Sequence, residues 1–194
     1  RAASSSGRLP CAPVSIVFLL LRRLAAPVSP MVSYGFAKAA HAMLIRPLDA
    51  SDLPACAHLL QASASEFIVH ESSLAGACTF LRENDEDGMR GYVAAGHVYH
   101  VAIEAGEIAG FIGIRDNSHV FHLFIDKRWQ RQGLARRLWQ VARAASVERG
   151  GDGSFTVNAS NYAVPVYEAF GFLRTAPTQC VKGLYFNPMR FIPA

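Results

Sequence analysis

The sequence predicts an α/β (α+β) domain built on a mixed, mostly antiparallel sheet with flanking helices. Three observations carry this. First, three β-like runs, His97 to Glu104, Glu107 to Arg115 and His119 to Ile125, are separated only by Ala105-Gly106 and by Asp116-Asn117-Ser118. Connections this short join antiparallel neighbours. Second, the third run leads through a polar turn into an amphipathic segment, Leu134 to Val147, and then into another β-like run, Ser154 to Val157. Strand, helix and strand in that order make a parallel crossover. Third, Leu53, Cys56, Leu59 and Leu60, and again Leu134, Leu138, Val141 and Ala145, recur at helical spacing, so helices cover the sheet.

The elements follow in order. Leu44 to Leu48 reads as a strand. Asp49 to Asp52 is polar, and Ser51 or Asp52 is the expected cap of a helix that runs to about Ala62. Ser63 to Ser73 is mixed, with Glu66, His70 and Glu71 among Phe67, Ile68 and Val69. Leu74 to Leu81 reads as a second helix, and Glu83 to Gly88 as an acidic loop with a solvated face. After the three-strand meander, a helix runs from Gly133 to about Arg149 and ends at Gly150, Gly151 and Gly153. A shorter helix spans Asn161 to Phe170. Pro165 is tolerable only in its first turn, which places its start near Asn161. Two last strands, around Leu173 to Thr175 and Cys180 to Phe186, complete the chain.

The first 42 residues differ in kind: they are rich in Ala, Ser, Pro and Arg, with five basic residues and no acid. Val14 to Leu21 is apolar, but eight residues are too few to span a bilayer. Arg22-Arg23 follow that run, the wrong polarity for a secretory signal. The composition fits an organellar transit peptide. The plainer expectation is a disordered or non-native extension, with Met31 or Met43 as the start and Val14 to Leu24 able to form a short apolar helix. The domain is then expected over residues 43–194.

The net charge of +4 resides in that extension, because the other 14 basic and 15 acidic residues leave the remainder at −1. A nearly neutral domain excludes a general nucleic-acid binder. Its 152 residues suffice to bury a core without disulfides or metal. Cys11, Cys56, Cys78 and Cys180 have neither zinc nor redox spacing. They read as reduced, buried small hydrophobes, which implies a reducing compartment and a cytoplasmic location. No membrane partner is expected.

Gln130-Arg131-Gln132-Gly133-Leu134-Ala135 is the stretch most telling of function. It lies where a strand turns into a helix. The first N–H groups of a helix lack intrahelical partners, and the dipole points its positive end the same way. Such a terminus binds phosphate. Gly133 and Ala135 let a ligand approach the backbone, and Arg131, Arg136 and Arg137 add positive charge. Tight strand–helix packing explains Gly and Ala equally well from local physics alone.

Gln130-x-x-Gly133-x-Ala135 resembles the acyl-coenzyme A signature Gln/Arg-x-x-Gly-x-Gly/Ala of the GNAT superfamily of N-acetyltransferases. Leu123-Phe124-Ile125-Asp126 precedes it where the family has its central strand. Tyr167-Glu168-Ala169-Phe170-Gly171-Phe172 resembles the family's Tyr-Glu-x-x-Gly-Phe, and Met43 to Asp49 resembles a common first strand. The resemblance covers about Met43 to Ile192. It implies a splayed central strand pair and acetyl-coenzyme A as co-substrate. A bulge would leave backbone groups of Leu123 and Ile125 to hold the pantetheine arm and the acetyl carbonyl. The pyrophosphate would lie on the turn Gln130, Arg131, Gln132, Gly133, Leu134, Ala135 and Arg136.

Acyl transfer to an amine needs a positioned thioester, a donor to its carbonyl, a base for the nitrogen and a proton for the thiolate. The resemblance makes Tyr167 the proton donor; a core tyrosine is the alternative. The family asparagine seven residues before that tyrosine is Ser160 here. Ser160 or the adjacent Asn161 can replace it, or can merely cap the helix. His119 stands where many members place a base, and His122 is three residues on. In a regular strand those two face opposite sides, though a bulge would change that. Glu66 and Glu71 are further candidates, from the helix-loop region that walls the acceptor pocket in the family; residues 61–92 are expected to shape that pocket here. His97-Val-Tyr-His100 and His119-Val-Phe-His122 are poor metal chelators for the same reason of parity, so no metal site is expected.

The function these features favour is acetylation of a primary amine of a small molecule, by direct attack in a ternary complex. Acetylation of a protein N-terminus or lysine is the alternative enzyme, with the acidic loop attracting a basic peptide. A non-catalytic acyl-coenzyme A binder is the alternative from another class. A nucleotide-binding regulator lacks the Gly-Lys-Ser/Thr ending. A homodimer is compatible with either enzyme.

Overall fold

The computed structural model describes residues 43–193, so every expectation about residues 1–42 lies outside the described residues. In chain order they form β1 (Leu44–Pro47), α1 (Leu53–Phe67), α2 (Leu74–Glu83), α3 (Glu86–Ala94), β2 (Val98–Glu104), β3 (Glu107–Arg115), β4 (His119–Ile125), α4 (Leu134–Glu148), β5 (Phe155–Ala159), α5 (Val164–Ala169), β6 (Leu173–Arg174), β7 (Gln179–Val181) and β8 (Leu184–Phe191). The sheet order is β1-β2-β3-β4-β5-β8-β6, with β7 paired to β8. Among the described strands β4 and β5 form the one parallel pair, and the rest are antiparallel. The mixed, mostly antiparallel sheet expected from the sequence is therefore present.

Two cores sandwich the sheet. On one face α4 and α5 bury Leu138, Trp139, Ala142 and Tyr167 against Ile112, Phe155 and Phe172. On the other, α1 and α3 bury Leu53, Cys56, Leu60 and Met89 against Tyr99, Val101 and Phe111. Cys56 behaves as the expected small hydrophobe, and burial pushes its thiol up to about 12. Cys78 and Cys180 do not: both are exposed.

Four local expectations are corrected. Asp52 holds the N-cap position of α1, as expected, but its side chain makes no cap bond to that helix; the capping bond is made by Asp49 on the 3-10 turn Ala50–Asp52 before it, its side chain accepting the Ser51 N–H. Asp52 accepts the Asp49 N–H in return and pairs with Arg46 at 2.6 and 2.9 Å. Helix α1 extends beyond Ala62 to Phe67, because Ala64 is fully buried in the core and anchors another turn. The acidic stretch is not a loop. Asp85 caps α3 and Glu86 and Asp87 occupy its first turn, where negative charge suits the helix dipole. Finally, Cys180 to Phe186 is a hairpin. Lys182 (φ +51°) and Gly183 (φ +80°) are both left-handed, as a tight two-residue turn between β7 and β8 requires. Strand β8 then continues through Pro188 to Phe191 along β5.

The feature that positions the site is in β4. Its partners in β3 step from Gly113↔His122 to Ile114↔Val120, so Phe121 is an extra residue, a β-bulge. Bulges bend a strand and sharpen its twist. Strands β4 and β5 pair only at His119↔Thr156 and Val120↔Val157, and beyond those residues they diverge.

Candidate active site

A cavity of about 1020 Å³ opens where β4 and β5 part. Of the residues proposed from sequence, His119, His122, Leu123, Ile125, Gln130, Arg131, Gly133, Leu134, Ala135, Arg136, Ser160 and Tyr167 line it; Gln132 and Asn161 do not. The Gln132 amide instead donates to the Arg128 carbonyl at 2.9 Å.

At one end, Arg131 (φ +61°) and Gly133 (φ +80°) turn the chain into α4. Gly133 occupies the N-cap position, and no side chain caps the helix. Its first N–H groups therefore keep no side-chain acceptor. A Cβ built at Gly133 would meet no atom within 4 Å, so the space beside this backbone is open. An uncapped terminus of a 15-residue helix facing open space, with Arg131 and Arg136 beside it, fits an anionic pyrophosphate. Arg136 is also fixed on α5, donating to the Ala169 carbonyl at 2.7 Å.

Along the open edge of β4, the Asp126 N–H still bonds the Ala109 carbonyl of β3, whereas the Ile125 carbonyl accepts the Gln130 amide at 3.1 Å. Alternation along the strand then turns the backbone of Ile125 and Leu123 toward the gap left by β5. Gln130 also accepts the Tyr162 hydroxyl at 3.3 Å. Its side chain thus ties the turn to the strand end rather than projecting freely into the cavity.

Strand parity, which set His119 and His122 on opposite faces, is reversed by the bulge. Val120 and Leu123 pack on the α4 side, while His119 and His122 both face the α1 and α3 side. The two have different surroundings. His122 is 5 % exposed, and its Nδ1 lies 3.0 Å from the Tyr99 hydroxyl. Burial pushes its pKa down to about 3. It is a packed wall, ringed by Phe111, Phe121 and Phe124. His119 is half-buried, and its Nδ1 lies 2.8 Å from Thr156 Oγ1 on β5, which fixes the ring. Burial and then the nearby Arg115 charge bring its pKa down to about 4, so it is neutral near pH 7.

Tyr167 is 5 % exposed on α5, and no described residue hydrogen-bonds its hydroxyl. Burial raises its pKa, so the phenol stays protonated. Ser160 caps the turn before α5 by accepting the Ala163 N–H. Asn161 donates to Glu71 at 2.6 Å and accepts from Asn187 at 2.9 Å. Glu71 is thereby engaged, and Glu66 is paired with Lys127 at 2.5 Å.

Residues 61–92, expected to shape the acceptor pocket, line part of the far wall, but which of them do so, and the part played by β8, were not foreseen. Phe80 and Glu83 of α2, Tyr92 of α3, and Tyr185 and Phe186 of β8 line the cavity. Phe67 stacks on Tyr162 with ring centroids 4.2 Å apart. These residues share no spacing and meet only in the fold. Thr156 carried a signal: alternation within Ser154 to Val157 separates it from the buried Phe155 and Val157.

The sequence profile of the GNAT acetyltransferase domain matches residues 64–193, and the chain belongs to that family. Solved structures agree at the level of the fold. A GCN5-related N-acetyltransferase from Rhodopseudomonas palustris is 19 % identical with a TM-score of 0.65, the match covering 76 % of this chain and 94 % of that one. The ribosomal-protein-S18-alanine N-acetyltransferase of Escherichia coli is 21 % identical with a TM-score of 0.55, covering 77 % and 92 %. An aminoglycoside 6'-N-acetyltransferase complexed with coenzyme A is 13 % identical with a TM-score of 0.59, covering 78 % and 99 %. No curated protein sequence matches the chain significantly. Among the described residues no helix is long and apolar enough to cross a membrane.

Proposed function

We propose that this protein transfers the acetyl group of acetyl-coenzyme A to a primary amine of a small molecule, by direct attack in a ternary complex. One observation supports this above the others. The parting of β4 from β5 at the Phe121 bulge puts the uncapped end of α4, the free edge of β4, His119 and Tyr167 around one cavity. Family membership makes the chain an acetyltransferase with acetyl-coenzyme A as co-substrate.

The thioester supplies an electrophilic carbonyl and a thiolate leaving group. The turn from Gln130 to Arg136 holds the anionic end of the coenzyme, and the backbone N–H groups on the free edge of β4 receive the carbonyl oxygen. As the C–N bond forms and the C–S bond breaks, His119 takes the proton from nitrogen and Tyr167 gives one to sulfur. An imidazole with a pKa near 4 is too weak to strip a free ammonium ion, which titrates several units higher. It can accept the proton once nitrogen has attacked, when that N–H has become far more acidic. The amine therefore enters the reaction neutral.

The test is calorimetry of acetyl-coenzyme A binding, followed by free-thiol release with a panel of amines. Binding with thiol release that depends on the amine supports the proposal. Binding without release from any amine or peptide would make the protein an acyl-coenzyme A binder.

A further inference from the structure

The half of the cavity beyond His119 is walled by Phe67, Phe80, Tyr92, Phe121, Tyr185 and Phe186, drawn from α1, α2, α3, β4 and β8. This wall is braced. Tyr92 donates to the Glu83 carbonyl at 3.0 Å and stacks on His97, with ring centroids 5.2 Å apart and planes 3° from parallel. Phe121 meets both rings edge-on at 4.8 and 4.7 Å.

Charge in the cavity is sparse. Among the described residues that line it, Glu83 is the one acidic residue, and Arg131 and Arg136 at the coenzyme end are the cations. Glu83 is exposed at the end of α2, and burial followed by its nearby charge raises the Tyr92 phenol pKa. Glu66 and Glu71 lie outside the lining and are engaged by Lys127 and Asn161. Next to Glu83, Asn84 is 4 % exposed, and its Oδ1 has no partner among the described residues.

We propose that the acceptor is a small monoamine with an aromatic or branched apolar body, its single ammonium received at Glu83 and then losing one proton to solvent water, so that the nitrogen attacks neutral. This assignment rests on the acetyl-transfer reading above. One carboxylate balances one ammonium. Each further ammonium of a polyamine or aminoglycoside would enter an apolar site uncompensated, which is costly. An apolar body gains by burial against the same wall, and aromatic faces attract a cation approaching them. His119, being neutral, does not repel that cation.

The experiment compares kcat/KM for phenethylamine, n-propylamine, spermidine, kanamycin and a short peptide with a free N-terminus. It uses the full chain and free-thiol release, with acetyl-coenzyme A binding measured separately by calorimetry. Phenethylamine is expected to exceed n-propylamine and spermidine by on the order of tenfold or more, the scale of a few buried methylenes. Glu83→Gln is expected to raise KM for phenethylamine by about tenfold, with the effect falling on KM rather than kcat and acetyl-coenzyme A affinity unchanged. Preference for spermidine, kanamycin or the peptide, or an unchanged KM in Glu83→Gln, overturns the assignment while leaving acetyl transfer intact. Failure of acetyl-coenzyme A to bind, or binding without turnover of any amine or peptide, overturns the acetyl-transfer reading, and this assignment with it.

Discussion

Replacing Tyr167 by Phe separates chemistry from architecture at this site. The ring is packed, with Phe172 at 5.3 Å and Phe170 at 6.0 Å between centroids, and Phe retains all of that contact. The hydroxyl bonds no described residue, so its removal leaves no buried partner unsatisfied, and stability is expected to change by less than about 0.5 kcal/mol. Acetyl-coenzyme A affinity is also expected to hold, since the uncapped end of α4 and the edge of β4 are untouched. What disappears is the proton. A general acid contributes on the order of 10²-fold, or ~2.7 kcal/mol of barrier, and kcat is expected to fall by that amount. The assay is steady-state thiol release with one accepted amine, beside urea unfolding and calorimetry of the same protein. A variant that folds, binds and turns over normally would make Tyr167 a core residue and refute its role as the acid.

Other perturbations follow from the same geometry. Gly133→Glu places a strained side chain and a negative charge in the open space before α4, and acetyl-coenzyme A binding is expected to weaken by more than about tenfold; calorimetry on the folded variant checks this. His119→Ala is expected to lower kcat, while in the parent enzyme kcat/KM rises with pH along the ionisation of the amine rather than of His119. Exchanging the amine for one of lower pKa should move that limb, and a limb fixed near pH 6.5 for every amine would contradict the shifted histidine. Stability should fall as pH drops from about 6.5 toward 4. His97, His100, His119 and His122 are all depressed in the folded state, so they add stability above their unfolded pKa and lose it as pH falls toward the folded values. Urea unfolding at pH 8, 6.5 and 5.5 measures this before the carboxylates titrate.

The sequence was most legible where structure is local. Strands β3 and β4, helix α4 and the turn before it follow from apolar period, short connections and Gly punctuation, and each lies within a residue or so of its expected place. The acidic run was misread because the same residues suit a solvated loop and the first turn of a helix. Only Asp85, whose side chain accepts the Gly88 N–H, decides between the two. The Cys180 to Phe186 run was misread because Lys182-Gly183 is a less recognisable turn than Asn-Gly. The far wall was legible only as the stretch 61–92, and its individual residues and Tyr185 of β8 were not, since no spacing relates Phe67 to Tyr92 or Tyr185.

The bulge at Phe121 is the point where local pattern and function separate. No residue type in His119-Val-Phe-His-Leu-Phe-Ile demands it, and simple alternation runs against it. One extra residue nevertheless has three effects. It returns His119 and His122 to one face, so that Thr156 can hold the first and Tyr99 the second. It accompanies the end of pairing with β5, leaving the backbone of Leu123 and Ile125 available to a ligand. It also sets the Phe121 ring edge-on to Tyr92 and His97, within the acceptor wall. Deleting Phe121 would restore regular parity, swing His119 toward α4 and close the edge. Such a deletion should therefore abolish coenzyme binding and turnover together, unlike Tyr167→Phe, which should spare binding. A folded deletion variant that still bound acetyl-coenzyme A would show that the cavity depends on the α4 turn alone.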